Sequence, residues 1–214
     1  MVKLVIFDWD GTLFDSIDTI CDSMLKAGEL AHAPVKHKDD IKNIIGLSLD
    51  KAVAVVWPEL SLREQGCIVE HYKQLYVSAD QTPPSAYPGV MSVLNQFKEA
   101  GVLMAVATGK SRRGLERAFS LTQTKAYFIA SRCADETLSK PDPLMLNELL
   151  DELSLSSEEA VMVGDTEYDL NMASNAGIKS IGVTYGAHEE ARLKACQPMG
   201  LIEDFTQLPR ILGL

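Results

Sequence analysis

Short, continuous apolar runs alternate along this chain with amphipathic segments, and few folds accommodate that order. Residues 4–7 (LVIF), 102–106 (VLMAV), 160–163 (AVMV) and 181–183 (IGV) are brief and show no polar alternation. Runs of that kind suit strands covered on both faces. Residues 127–129 (YFI) make a weaker candidate. Between the runs, apolar residues share single helical faces: Val90, Leu94 and Phe97; Leu115, Ala118 and Phe119; Leu146, Leu149, Leu150 and Leu153. Strands alternating with helices imply right-handed crossovers and a parallel sheet.

The order breaks once. From Asp15 to Pro84 the pattern is helical, with no convincing strand. Ile17, Ile20, Cys21, Met24 and Leu25 fall on one face, Leu49, Ala52, Val53 and Val56 on a second, and Ile68, Tyr72, Leu75 and Tyr76 on a third. The exit, Gln81-Thr82-Pro83-Pro84-Ser85 followed by Tyr87-Pro88-Gly89, is rich in turn residues. The expected fold is therefore α/β: a doubly wound parallel sheet with a helical insertion after the first strand. Residues 1–14 and 85–214 would form the core domain, and 15–84 a helical cap able to move as a lid. A chain of 214 residues can bury such a core without disulfides or structural zinc.

Charge narrows the function. The net charge is −10, and the only adjacent basic pair is Arg112-Arg113. Nucleic acid and anionic membrane surfaces call for clustered Lys and Arg, so neither is expected as a partner. No apolar run approaches the ~20 residues of a membrane span, and residues 1–8 do not read as a secretory signal. Cys21, Cys67, Cys133 and Cys196 form no C-x-x-C pair. They read as reduced thiols, mostly in the core, of a cytoplasmic protein.

The chemistry-bearing residues sit at the ends of the apolar runs. Asp8-Trp9-Asp10-Gly11-Thr12 follows the first. In extended chain Asp8 and Asp10 point to the same side, into the crevice where open α/β sheets bind ligands. Thr108-Gly109-Lys110-Ser111 follows the second run and precedes a helix. Its hydroxyl and backbone N–H groups can hold phosphate oxygens, although Ser111 also suits a plain N-cap. Lys140 precedes Pro141 in a loop, with Asp142 as a candidate cap and Pro143 at a first helical position. Gly164-Asp165-Thr166-Glu167-Tyr168-Asp169 follows the third run. There Asp165 can cap the helix and Asp169 can project from its first turn.

Each element alone has an ordinary structural reading. In a parallel sheet all of them converge at one edge, bringing Asp8, Asp10, Asp165 and Asp169 together. Carboxylates so crowded need a cation or a shared proton, and hard oxygen donors favour magnesium. His32, His37, His71 and His188 form no metal-ligand spacing, so zinc is not expected.

Taken in this order, the motifs resemble those of the haloacid dehalogenase-like superfamily, in its helical-cap phosphatase branch and among phosphoglycolate phosphatase-like proteins. The resemblance implies a magnesium-dependent phosphatase acting on small phosphate monoesters, phosphoglycolate among them, as a monomer or homodimer. It implies that Asp8 attacks phosphorus and forms an aspartyl-phosphate. Asp10 would protonate the leaving alcohol and then activate water, with crowding by other carboxylates helping to keep its proton. Mg2+ would be held by the Asp8 carboxylate, the Asp10 main-chain carbonyl and Asp165. Thr108, Gly109 and Lys140 would contact the phosphoryl oxygens, and Asp169 would position Lys140 or a water on the metal. Trp9 is expected to pack beside the first strand. Lys51, Lys110 and Arg112 are expected to be solvated. Two alternatives stay open: a sugar-phosphate mutase with the same residues, and a non-enzymatic module switched by phosphorylation of Asp8.

Overall fold

The computed structural model describes residues 2–79 and 83–214. Gln81 and Thr82 of the expected exit linker lie outside the described residues, as does Met1. The strands are β1 (Leu4–Phe7), β2 (Phe14–Asp15), β3 (Ser85–Ala86), β4 (Leu103–Thr108), β5 (Ala130–Cys133), β6 (Ala160–Gly164), β7 (Lys179–Val183) and β8 (Gly200–Ile202). Six of them form one parallel sheet in the order β5-β4-β1-β6-β7-β8.

Strand β1 lies between β4 and β6, so the chain passes to both sides of it, and a ligand crevice opens beyond such a point. Its alternate residues feed two cores. Val5 and Phe7 join Val106, Val163, Phe97 and Phe119 on one face, while Leu4 and Ile6 join Ala105, Met162, Leu146 and Leu149 on the other. Both faces are covered, which is why β1 reads as an unbroken apolar run.

The inserted stretch is helical: α1 (Ile17–Leu30), α2 (Lys38–Lys42), α3 (Leu49–Val56) and α4 (Leu62–Ala79). These helices bury their own apolar cluster, including Ile20, Met24, Ile41, Val53, Trp57 and Ile68. At its root, β2 and β3 pair as a two-residue antiparallel ribbon through Phe14↔Ala86 and Asp15↔Ser85. Helices α5 (Val90–Glu99), α6 (Arg112–Thr122), α7 (Leu144–Leu153), α8 (Glu167–Asn175), α9 (Glu190–Ala195) and α10 (Leu208–Leu212) complete the chain. Among the described residues no helix is long and apolar enough to cross a membrane.

Two details differ from the sequence expectation. Residues 127–129 are not a strand: Lys125–Tyr127 is a 3-10 turn, and β5 begins at Ala130. That strand, Ala-Ser-Arg-Cys, lies at the sheet edge and is only partly buried, so no apolar run marks it. The other edge strand, β8, is shorter still and carries no signal.

Candidate active site

Parallel pairing sets the site's register. Phe7 stands opposite Val106 of β4 and Val163 of β6, and the Asp8 N–H continues the ladder to the Val163 carbonyl at 3.0 Å. The strand ends carrying Asp8, Thr108 and Asp165 therefore reach one edge together. Trp9 points the other way, as alternation requires. It is fully buried and stacks on Phe14 at 4.5 Å between ring centroids.

Three carboxylates and one ammonium form the centre. Lys140 is completely buried, and its Nζ donates to Asp8 Oδ1 and Asp169 Oδ1, both at 2.7 Å. Burial alone would lower the lysine's pKa; the Asp169 and Asp8 carboxylates more than reverse this and raise it. Asp8 is pushed the other way. Burial, with Asp169 and Asp165 nearby, raises its carboxyl well above the usual range despite the opposing pull of Lys140. Asp169 is held from both sides, since its Oδ2 accepts from the Thr166 N–H at 3.1 Å and the Thr166 hydroxyl at 2.7 Å.

The helix cap on this segment differs from expectation. Thr166, not Asp165, is the N-cap of α8, and Asp169 completes a capping box with it. That leaves the Asp165 carboxylate for the site. Its Oδ1 accepts from the Thr12 hydroxyl at 2.8 Å, and its Oδ2 from the Ala187 N–H at 2.7 Å. Burial first, then Asp169, pushes this carboxyl up to about 7. Gly11 is required here on two counts: its φ is +80°, and a Cβ would collide with Asp165 Oδ2.

Asp10 corrects the expectation of four crowded carboxylates. The group whose ligand atoms lie within 4.8 Å of one another is Asp8, Asp165 and Asp169. The Asp10 carboxylate turns instead to the Lys110 ammonium at 2.9 Å and to the Ser16 hydroxyl. Its charged neighbour is thus a cation, because the β1 loop aims Asp10 across the crevice toward the Thr108 loop. Lys110 is not a solvated residue either. Its side chain is 10% exposed; its Nζ donates to the Tyr76 hydroxyl at 3.0 Å and lies 4.9 Å from that ring's centroid. Burial opposes the charge on Lys110, but Asp10 and Tyr76 together raise its pKa.

Thr108 is fully buried at the end of β4, and its hydroxyl accepts from the Lys110 N–H at 3.2 Å. Gly109 lies against the loop between α2 and α3. A Cβ there would stand 2.7 Å from the carbonyl oxygens of Gly46 and Leu47. The same loop is tied down by Ser48 N–H to Ser139 Oγ at 2.9 Å and by Lys51 Nζ to the Lys140 carbonyl at 3.4 Å. Lys51 is exposed, as expected, yet reaches the core. Arg112 faces away, bound to Glu136 and Ser131. His188 is buried and satisfied, accepting from the Glu167 N–H and meeting the Asn43 carbonyl.

The residues fit a hard cation. Asp8 Oδ2 is buried with no hydrogen-bond partner among the described residues, and an acceptor-only oxygen in that state needs a positive charge. The clustered ligand atoms of Asp8, Asp165 and Asp169 are carboxylate oxygens, the chemistry magnesium takes. Among the described residues Asp169 accepts three hydrogen bonds, one from Lys140 and two from Thr166, against two on Asp165 and one on Asp8, so Asp8 and Asp165 keep the freer lone pairs.

Sequence reasoning assigned no role to Thr12, Ser16, Thr166, Ala187, Lys110 or Tyr76. Thr12 and Thr166 sit within the motifs, and a hydroxyl beside clustered carboxylates is a usable signal. Lys110 lies two residues from Thr108 and offers a similar hint. Nothing local marks Ala187 or Tyr76, which reach the site only through the fold.

Known proteins resemble this chain along its whole length. A family model described as haloacid dehalogenase-like hydrolase matches residues 5–183. A relative named "Probable phosphatase IndB", from Dickeya dadantii, is 32% identical over 97% of this chain and 92% of its own. A phosphoglycolate phosphatase of Vibrio cholerae is 27% identical over 99% of this chain and 97% of its own. Among solved structures, a predicted phosphoglycolate phosphatase from Haemophilus somnus superposes with a TM-score of 0.90 at 22% identity, covering 99% and 98% of the two chains. That last likeness concerns the fold.

Proposed function

The chain belongs to the haloacid dehalogenase-like hydrolase family and is a phosphatase, and we propose that it hydrolyses small-molecule phosphate monoesters with magnesium through an aspartyl-phosphate on Asp8. One observation carries the reading. Asp8 is buried at the end of the central strand with one oxygen on Lys140 and the other unpartnered among the described residues. A carboxylate so placed has a second oxygen open to a cation or an electrophile, which a purely structural ion pair would not need.

In this reading Asp8 and Asp165, with the Asp10 main-chain carbonyl, would hold Mg2+, which would supply positive charge to the phosphoryl group. Lys140, Thr108 and the Gly109 backbone bind those oxygens, and Asp169 keeps Lys140 aimed at them. An Asp8 oxygen bonds to phosphorus as the bond from phosphorus to the alcohol oxygen breaks. The departing oxygen takes a proton from Asp10. Asp10 then accepts a proton from water as that water attacks phosphorus, breaking the Asp8 oxygen–phosphorus bond and releasing inorganic phosphate. Asp10 Oδ1 is taken by Lys110 and Ser16, so its other oxygen is the one for proton transfer. Most of the remaining rate enhancement is positioning and electrostatics. Residues 15–84 act as the cap that closes over the substrate and excludes water.

The test is phosphate release from a panel including phosphoglycolate, nucleoside monophosphates and sugar phosphates, with magnesium and with chelator. Turnover that stops with chelator supports the reading. Isomerised sugar phosphate in place of free phosphate would move the chain to the mutases, and a phospho-Asp8 lasting minutes in magnesium would make it a switch.

A further inference from the structure

A cavity of about 960 Å³ lies between the helical insertion and the core, with both Asp8 and Asp10 on its border. Their shared position fixes orientation. A phosphoryl group at Asp8 must send its leaving alcohol past Asp10 into this space. Ligand pockets of roughly 300–1,000 Å³ hold drug-sized molecules, so the space far exceeds a two-carbon alcohol.

Part of its wall is apolar and aromatic, and Lys73, Arg113 and Arg117 stand on the rest of its border. Ile20 and Met24 of α1 and Leu47 of the loop between α2 and α3 are buried from solvent, yet line the cavity. Tyr72 and Tyr76 of α4 also line it, with rings stacked at 5.5 Å and 22°. The cation closest to the acid, Lys110, is engaged by Asp10 and Tyr76. A small acidic alcohol would leave the Met24–Leu47–Tyr72 wall uncovered, whereas a planar apolar ring would cover it.

Resting on the phosphatase reading, we infer that the preferred substrates are phosphate monoesters of a ring-bearing alcohol, selected by Tyr72, Leu47 and Met24. The ring lies against these side chains while the ester oxygen stays within reach of Asp10. The binding energy gained remote from phosphorus serves to orient the reacting bond, so it is expected in kcat/KM.

The experiment compares 2-(2-naphthyl)ethyl phosphate with ethyl phosphate and 2-phosphoglycolate at one magnesium concentration. The first two have alcohols of similar leaving ability and differ in the ring. The naphthyl ester is expected to be used at least about tenfold better by kcat/KM. In Tyr72→Ala the ratio of the two kcat/KM values should fall toward one. Leu47→Ala should lower the same ratio and serves if the first variant does not fold. Both substrates are measured on one preparation, so loss of folded protein cancels. A ratio near or below one in the natural chain, or phosphoglycolate as the best substrate, overturns the inference while leaving the phosphatase reading standing. A ratio that persists in both variants overturns the assignment to this wall. Failure to hydrolyse every ester removes the phosphatase reading itself, and the inference with it.

Discussion

The site contains two aspartate–lysine pairs, and they are built for different purposes. Asp8 and Lys140 are 1% and 0% exposed at their side chains, and the Lys140 ammonium binds Asp8 and Asp169, both carried by the core. Asp10 and Lys110 are 11% and 10% exposed, border the cavity and reach α4 through Tyr76. The first pair belongs to a buried platform in which losing the Lys140 cation strands two carboxylates. The second joins the core to the helical insertion. Identical chemistry acquires different roles from depth and from what stands behind each lysine.

The largest expected effect tests the platform. Asp8→Asn keeps the shape and removes the proposed nucleophile, so turnover should fall by about 10⁴-fold or more. Retention of a tenth of the activity in a steady-state assay would show that another group attacks phosphorus. Next, Lys140→Met leaves two buried carboxylates without their cation and should destabilise the fold by about 3–5 kcal/mol. Lys110→Met abandons one carboxylate that keeps Ser16 and borders the cavity, so the loss should be about 1–2 kcal/mol. Equal losses in urea unfolding of the two variants would erase the distinction between the pairs.

The pH dependence sharpens the comparison further. Asp165 has its carboxyl pushed up to about 7, first by burial and then by Asp169, against about 4 in an unfolded chain. Its folded state therefore holds a proton that the unfolded chain releases. The stability from this group is complete below about pH 4 and is lost as pH rises through about 7. In chelator, Asp165→Asn should gain thermal stability relative to the natural chain between pH 4.5 and 7.5. Magnesium competes with that proton, so it should raise the melting temperature of the natural chain more at pH 8 than at pH 5. A magnesium effect independent of pH would deny Asp165 to the metal. The smallest effect belongs to Tyr76→Phe, which removes the hydroxyl beside Lys110. A kcat/KM decrease of a few-fold is expected, roughly one hydrogen bond; no change would mean that α4 adds nothing to the second pair.

Much of the frame was legible in the residues because local rules and global packing agree there. Strand β1 is apolar throughout, since both of its faces are covered. Ser111 caps α6 as its position suggests, accepting from the Gly114 N–H. Edge strands β5 and β8 escaped because an edge needs no continuous apolar run. Asp10 faces the expected crevice, but its partner was not legible, since alternation says which side of the strand a residue faces and not which charge waits across it.

Local sequence determined where chemistry could sit: aspartates, threonine and lysine at the ends of buried strands, and glycines where backbones crowd. Tertiary structure alone decided which of them meet, because each partnership joins residues far apart in the chain. Thr12 finds Asp165, Ala187 lends its N–H to the same carboxylate, and Tyr76 comes down on Lys110. A side chain's partners depend on distances of a few ångströms, and no local pattern encodes those until the sheet has closed its register and the helical insertion has found its seat.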